Sequence, residues 1–308
     1  MSMLALAEEW LAAKRALESA AQAAKGNSDR ARRADLERWA DVLGPDLGGL
    51  TTERIIAGVG TAKARWSDAT VMRMMSTLRG FTRWLHRGSH LAVDPMADEL
   101  LHAPPRPQRR PKAISEEEVA RLVAAAAEPP PEGQRMWWTE RDIALMSFLA
   151  TTGARAEEVC TVRVGEIDRR AEHPIWRVST AKGGKTRDVP LPRATVAALD
   201  TWVAARTARG LSAGPPDPLF VRANRSALSE QALDRLIRGL ALRAGVAFPS
   251  GAAAHAFRHH YGVTLALRGV PTAIISQLMG HADPRTTAIY TTVAASQLIG
   301  ALDDAGLL

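Results

Sequence analysis

The order of hydrophobic and polar positions predicts helices through the first hundred residues. One helix is predicted over 4–24, where alanine is frequent and proline and glycine are absent, and a second from Ser28 to just before Gly44. A third is predicted over 68–86, because apolar residues recur there at spacings of three and four. These apolar residues are Val71, Met74, Met75, Leu78, Phe81 and Leu85. They form one face of a helix that packs into a core.

The second half of the chain contains one stretch with a different period. A capping box formed by Ser115 and Glu118 marks a helix start at 115. Short β-rich segments between turn residues predict three antiparallel strands, over 162–168, 174–180 and 186–190. Helices are predicted in the rest of this half, over 115–127, 139–151, 193–209, 228–244, 255–268 and 271–279. The predicted fold class is therefore mainly α with a small antiparallel β-sheet.

Length and composition place the chain among ordinary globular proteins. Its 308 residues favour two domains, and 46% hydrophobic with 24% charged residues argues against a disordered or fibrous chain. No apolar run has the roughly 18 to 20 residues that span a bilayer, so we expect a cytoplasmic protein without a membrane partner. The single cysteine, Cys160, excludes an internal disulfide.

The net charge is concentrated in one short segment. The chain carries +7 overall, a balance that favours a nucleic-acid partner. Residues 104–112 contribute +4 of it through Arg106, Arg109, Arg110 and Lys112, without an acidic residue. Because four of these nine residues are proline, we expect a semi-rigid linker between a helical domain over 1–103 and a second domain over 113–308. A basic spacer without a partner remains an equal alternative at this point.

Four short motifs in the second domain contain polar residues suited to phosphate chemistry. Each is weak alone, since such motifs also occur at helix ends and hairpin turns. They are TGARAEE at 152–158, AKGGKTR at 181–187, HAFRH at 255–259 and MGH at 279–281, followed by Tyr290. It is their joint occurrence in this order that carries information.

In these motifs the sequence resembles the tyrosine recombinase family of phage integrases and Xer-type recombinases. The family patterns are T-G-x-R-x-x-E, G-K-G-x-K-x-R, H-x-x-R and L-G-H with a tyrosine nine residues later. The resemblance covers about 113–292, and more loosely the helical N-terminal block, which is similar to the family's core-binding domain. Ala181 and Met279 depart from the usual glycine and leucine without removing a reactive group.

The resemblance implies a role for each polar residue of the motifs. Arg155 and Arg258 would clamp the phosphate, since guanidinium groups bind phosphate oxygens in pairs. Tyr290 would be the nucleophile, and Lys182, favoured over Lys185, the acid that protonates the leaving 5′ oxygen.

The remaining motif residues receive supporting roles. His255 and His281 would bind the phosphate or assist proton transfer, and Glu158 would orient neighbouring cations. Lys185 and Arg187, together with the four linker cations, would contact the DNA backbone. Tyr261, the only other tyrosine, is expected to pack in the core.

The implied function is site-specific recombination of double-stranded DNA by a two-domain clamp. Tyr290 would form a 3′-phosphotyrosyl intermediate without metal or nucleotide cofactor, and strand exchange would pass through a Holliday junction in a homotetramer. A C-terminal helix over 293–308 would pack against a neighbouring subunit or fold back on its own domain.

Three other functions are weighed against this one. A metal-dependent nuclease is disfavoured because no acidic residue lies within 255–260, so His259 and His260 are interpreted as exposed or structural. The second is a catalytically silent architectural DNA-binding protein. The third is a type IB topoisomerase-like enzyme that relaxes DNA by the same chemistry.

Overall fold

The chain divides into two units, Met1–Pro107 and Gln108–Leu308, and the division falls inside the predicted linker. In this computed structural model the described residues are 2–17, 27–101, 113–129, 138–170, 172–179, 186–222, 224–248, 251–281 and 287–295. The linker itself, with its four basic residues, lies outside them. Among the described helices, none combines the length and the apolar character that crossing a membrane requires.

The first unit is a bundle of helices. Its described helices are α1 (Met3–Leu17), α2 (Asn27–Leu43), α3 (Thr52–Arg65) and α4 (Asp68–Arg87), with short 3₁₀ turns at Leu47–Gly49 and Glu99–Leu101. The predicted apolar face of α4 is buried from Val71 to Leu85, as the spacing predicted. Trp39 lies fully buried beside it, and its indole N–H donates to Met74 O at 2.9 Å.

Helix α3 was missed by the sequence pattern. Thr51 caps it by accepting a hydrogen bond from Arg54 N, but Gly58 and Gly60 weaken the helical signal. Gly58 suits the close packing here, because a Cβ there would lie 2.8 Å from Leu43 Cδ2. Glycine lowers the helix propensity at this position, but it allows α2 and α3 to approach closely.

The second unit begins with the predicted capping box. Ser115 Oγ accepts from Glu118 N at 3.1 Å, and Glu118 Oε2 accepts from Ser115 N at 2.7 Å. The helices that follow are α5 (Glu116–Ala127), α6 (Thr139–Thr152), α7 (Ala156–Thr161), α8 (Arg193–Ala208), α9 (Glu230–Arg243), α10 (Ala253–Leu267), α11 (Thr272–Met279) and α12 over 287–295. Pro271 occupies the cap position of α11 rather than its first turn.

The predicted three-stranded sheet is present. Its strands β1 (Ile167–Asp168), β2 (Ile175–Val178) and β3 (Arg187–Pro190) are antiparallel in the order β1-β2-β3. Strand β1 is shorter than predicted because a 3₁₀ turn, Val164–Glu166, takes up the start of that segment. The predicted fold class, mainly α with a small antiparallel sheet, is confirmed.

The sheet packs on the core of the second unit through Trp176. This residue is fully buried, and its ring lies 4.9 Å from that of Phe148 on α6. The packing fixes β3, and with it Arg187, relative to the end of α6. That end is where the first candidate site residues lie.

Candidate active site

The end of α6 and the start of α7 form one wall of the site. Helix α6 stops at Gly153, which has φ +56°, a left-handed conformation that favours glycine. A side chain there would also collide with Tyr261, since a Cβ would lie 2.5 Å from its Cδ1. Arg155 then takes the cap position of α7 and Glu158 lies in the first turn of that helix.

Glu158 bridges two arginines from distant parts of the chain. Its Oε1 accepts from Arg155 Nη1 and from Arg187 Nη1, both at 2.9 Å. Its Oε2 accepts from Arg187 Nη2 and from the backbone N–H of Arg155, both at 2.8 Å. Burial acts to raise the Glu158 pKa, but the hydrogen bonds and charge of Arg187, followed by Arg155, outweigh it and the pKa is lowered. The carboxylate is therefore ionised at neutral pH.

Helix α10 brings a second arginine and two histidines to the same place. Arg258 is 3% exposed and donates to Gly153 O at 2.8 Å, which joins α10 to the end of α6. Burial, together with the charge of Arg155, lowers the Arg258 pKa to about 10, so the group keeps its proton at neutral pH. His255 lies one turn earlier on the same helix, and the burial of its ring lowers its pKa, followed by the charges of Arg258 and Arg155.

His281 and Tyr290 complete the site from the C-terminal side. The two rings are stacked, with centroids 6.1 Å apart and planes at 16°. His281 Nδ1 hydrogen-bonds Thr287 Oγ1 at 2.8 Å, which ties the histidine to the first residue described in α12. Burial and three neighbouring arginines lower the His281 pKa to about 4, so the ring is neutral at neutral pH.

Tyr290 is distinguished from Tyr261 by its electrostatic environment. Burial raises the pKa of both phenols, that of Tyr261 to about 12. The charges of Arg258 and Arg155 oppose the rise at Tyr290, whereas at Tyr261 the opposing charge is that of Arg187. Tyr290 is thus the phenol that interacts electrostatically with both proposed phosphate-binding arginines.

His259 belongs to the site although the sequence interpretation placed it outside. Its ring lies 4.3 Å from that of His255 and 5.7 Å from that of Tyr290, and its buried Nδ1 has no hydrogen-bond partner among the residues that the structure describes. The sequence could have indicated that His259 lies in the site, because it follows Arg258 directly and lies four residues after His255 on the same helix face. His260 has a structural role, since its Nδ1 hydrogen-bonds Ile114 O at 3.0 Å.

The position of Arg187 does not fit its predicted contact with the DNA backbone. Its side chain is only 6% exposed, and both terminal nitrogens are engaged with Glu158. A guanidinium enclosed in this way presents little surface to a ligand.

Several predicted site residues cannot be placed. Lys182 and Lys185 lie outside the described residues, as do the linker residues Arg106, Arg109, Arg110 and Lys112. Of the predicted C-terminal helix, residues 293–295 are described, and they belong to a helix that has already begun by 287.

The assembled groups carry more positive than negative charge. Among the described residues of this cluster, Arg155, Arg187 and Arg258 oppose the carboxylate of Glu158. Within the described ranges, no three His, Cys, Asp or Glu side chains converge as metal ligands would. The cluster is suited to an anion such as a phosphodiester, whose charge grows in a transition state for phosphoryl transfer.

Comparison with known proteins identifies the family. The model of the phage integrase family matches residues 112–297, more than half of the chain. The chain belongs to the phage integrase family. The resemblance carried by the four motifs is thereby confirmed.

Individual relatives extend the similarity to nearly the whole chain. Tyrosine recombinase XerC of Erythrobacter litoralis is 31% identical over 96% of this chain and 90% of its own length. Two solved structures share the fold at low identity. One is XerH site-specific recombinase bound to palindromic difH substrate in a post-cleavage complex, with 18% identity, a TM-score of 0.74, and coverage of 89% of this chain and 78% of that one. The other is a lambda integrase tetramer bound to a Holliday junction, with 15% identity, a TM-score of 0.69, and coverage of 94% and 77%.

Proposed function

We propose that this member of the phage integrase family is a site-specific DNA recombinase that cleaves and rejoins duplex DNA through a 3′-phosphotyrosyl intermediate. The observation that carries the proposal is that the fold brings Arg155, Arg258, His281 and Tyr290 together. The two arginines donate to Gly280 O and Met279 O next to His281, and the His281 and Tyr290 rings are stacked. The XerC relative, similar over nearly the whole chain, supports the same activity.

The reaction follows from the chemistry of these groups. Arg155 and Arg258 hold the nonbridging oxygens of the scissile phosphate and stabilise the charge that builds on them. The Tyr290 oxygen attacks phosphorus, and its proton passes to a neutral histidine of the site, His255 or His281. The bond to the 5′ oxygen breaks, and Lys182 supplies the proton to that oxygen. The phosphotyrosyl bond retains the energy of the broken linkage, so attack by a 5′-hydroxyl reverses the step and rejoins the strand.

The histidines act in their neutral form in this mechanism. A neutral imidazole both donates and accepts, so His255 and His281 hydrogen-bond a phosphate oxygen or pass a proton at neutral pH.

The proposed substrate is double-stranded DNA containing a specific recombination site. The four linker cations contact its phosphates, and a homotetramer carries out the exchange through a Holliday junction. The two solved structures, a recombinase on its DNA site and a tetramer on a Holliday junction, support this assembly.

Replacement of each tyrosine tests the proposal. Tyr290→Phe should bind DNA with unchanged affinity and form no covalent adduct, because the attacking oxygen is missing. Tyr261→Phe is the matched control, since Tyr261 is the other of the two tyrosines and packs against Gly153. The cognate site would first be mapped by sequencing DNA that is covalently trapped on the unaltered chain in cells.

The adducts are then compared on denaturing gels with a nicked duplex containing that site. An adduct that persists in Tyr290→Phe would contradict the proposal, as would its loss in Tyr261→Phe alone. Supercoil relaxation without sequence preference would favour a topoisomerase.

A further inference from the structure

Three successive backbone carbonyls at the end of α11 each accept a hydrogen bond from a different arginine of the site. The pairs are Arg187 Nε to Leu278 O at 2.8 Å, Arg258 Nη2 to Met279 O at 2.5 Å and Arg155 Nη2 to Gly280 O at 2.6 Å. The last carbonyls of a helix have no donor within the helix and carry a partial negative charge. The three guanidinium groups therefore hold this helix end in place.

Gly280 allows this close contact. It has φ +61°, the left-handed conformation that ends α11, and a Cβ there would lie 2.9 Å from Arg187 Nη1. His281 follows immediately, and its backbone N–H donates to Ser276 O at 3.0 Å. The position of His281 beside Tyr290 is thus tied to the position of the arginines.

Arg187 differs from the two other arginines in its partners, because its Nε, Nη1 and Nη2 all donate to protein acceptors. The Arg155 side chain is 33% exposed and can reach a ligand, whereas that of Arg187 is 6% exposed. Its guanidinium lies over the buried Trp176 ring, 5.9 Å from the centroid, and is bonded to both oxygens of Glu158. Arg187 therefore contacts the groups that hold the phosphate-binding residues and not the position of the phosphate itself.

We propose that Arg187 is a positioning residue for strand cleavage, which rests on the function proposed above. Through Glu158 it fixes the guanidinium of Arg155, and through Leu278 O it fixes the turn that carries His281. Its planar fork is needed for this, because it bonds two carboxylate oxygens and a carbonyl at once. Lysine keeps the charge but cannot make these three bonds in fixed directions.

Loss of Arg187 leaves the buried Glu158 with Arg155 as its remaining arginine partner. The carboxylate then draws Arg155 toward itself, away from the phosphate, while Leu278 O loses its donor. A small displacement of a group that aligns the reacting atoms costs roughly 100-fold in rate. DNA affinity is set elsewhere, by contacts to the backbone, and is expected to stay the same.

The test separates positioning from DNA contact. Arg187→Lys and Arg187→Gln are compared with the unaltered chain for adduct formation in single turnover on the mapped nicked duplex. We expect the rate at saturating DNA to fall roughly 100-fold in Arg187→Gln, and less in Arg187→Lys. The half-saturating DNA concentration and its salt dependence should not change.

Arg206→Lys is the matched control. Arg206 is also a buried arginine of the second unit, and it donates to Pro218 O and Leu219 O away from the site. Melting temperatures of all variants are measured as well. A rate of adduct formation that falls only because the protein is destabilised should also fall in Arg206→Lys. If Arg187→Gln does not fold, the rate of adduct formation in Arg187→Lys tests the proposal instead.

The outcomes are distinct. A higher half-saturating DNA concentration, or a flatter salt dependence of DNA binding, with an unchanged rate would overturn the proposal. Arg187 would then be a DNA contact. An unchanged rate and affinity, or an equal loss in Arg206→Lys, would also overturn it. Absence of an adduct in the unaltered chain would refute the proposed function, and the role of Arg187 with it.

Double substitution tests the route through Glu158. If Arg187 acts by way of that carboxylate, the rate of the Glu158→Gln and Arg187→Gln double variant should exceed the value given by multiplying the two single losses. Strictly multiplicative losses would show that the two residues act independently, which contradicts the proposal.

Discussion

The charge states of the site residues follow from the balance between burial and neighbouring charges. Burial favours the neutral forms of the histidines and of Tyr290. The arginines keep their charge because Glu158 and the carbonyls of α11 accept their hydrogen bonds. Without DNA, the described arginines of the site therefore supply positive charge, and the neutral rings beside them can take up protons.

His259 provides a test of this balance through stability. Burial, then the charges of His255 and Arg258, lowers its pKa from 6.5 to about 4. The unfolded chain takes up this proton near pH 6.5 and the folded chain only near 4, so the unfolded state binds more protons between these values. The contribution of His259 to the free energy of unfolding is present above that window and is lost as the pH falls through it.

We therefore expect His259→Gln to depend less on pH than the unaltered chain. Denaturant unfolding measured across the window gives the slope of the free energy of unfolding against pH. The slope should be shallower in the variant, because a proton-binding difference has been removed. Parallel curves for the two proteins would contradict the lowered pKa.

At the level of helices and strands, glycines decide how closely the elements of the site approach. Gly153 and Gly280 end α6 and α11 in left-handed conformations, and each also leaves space for a neighbouring side chain of the second unit. Gly262 lies within α10, where glycine costs about 1 kcal/mol relative to alanine. A Cβ at Gly262 would lie 2.8 Å from the Tyr290 ring, which explains why the cost is accepted.

Gly262→Ala and Gly60→Ala form a matched pair. Both glycines lie inside helices, but a Cβ at Gly60 would meet no atom within 4 Å. We expect Gly60→Ala to raise the free energy of unfolding by about 1 kcal/mol, since only helix propensity changes. Gly262→Ala should not give this gain and should slow adduct formation, because the Tyr290 ring must move.

Denaturant unfolding and single-turnover adduct formation check both expectations. Equal stabilisation by the two substitutions, with unchanged adduct formation, would show that Gly262 does not set the position of the nucleophile.

For the whole molecule, the uneven charge along the chain gives the clearest expectation. Residues 104–112 hold +4 of the total +7, while the segments on either side are nearly neutral. A cation that contacts a phosphate contributes about 0.9 to the slope of log affinity against log salt. The linker should therefore account for a large share of the salt dependence of DNA binding.

Neutralising Arg106, Arg109, Arg110 and Lys112 together should weaken DNA binding and flatten its salt dependence. Titration of labelled duplex at several salt concentrations measures both quantities. The rate of adduct formation at saturating DNA should be unchanged, because the chemistry resides in the second unit. An unaltered salt slope would show that this segment is only a spacer.

Most of the elements could be predicted because their signals are local. The Ser115 capping box, the apolar face of α4 and the three short strands each depend on residues close together in the chain. The sequence pattern did not predict helix α3, because glycine has a low helix propensity and Gly58 is explained by its packing against Leu43.

The distinction between local sequence signals and tertiary packing also applies to the site. Residue types at motif spacing indicated the family and named Arg155, Arg258, His281 and Tyr290 from the sequence. The spacing could not show that Arg187 is enclosed by Glu158 and Leu278, because these partners come from separate segments and meet only when β3, α7 and α11 pack together. Burial, hydrogen-bond partners and pKa values are properties of such packing, so only the tertiary structure decides them.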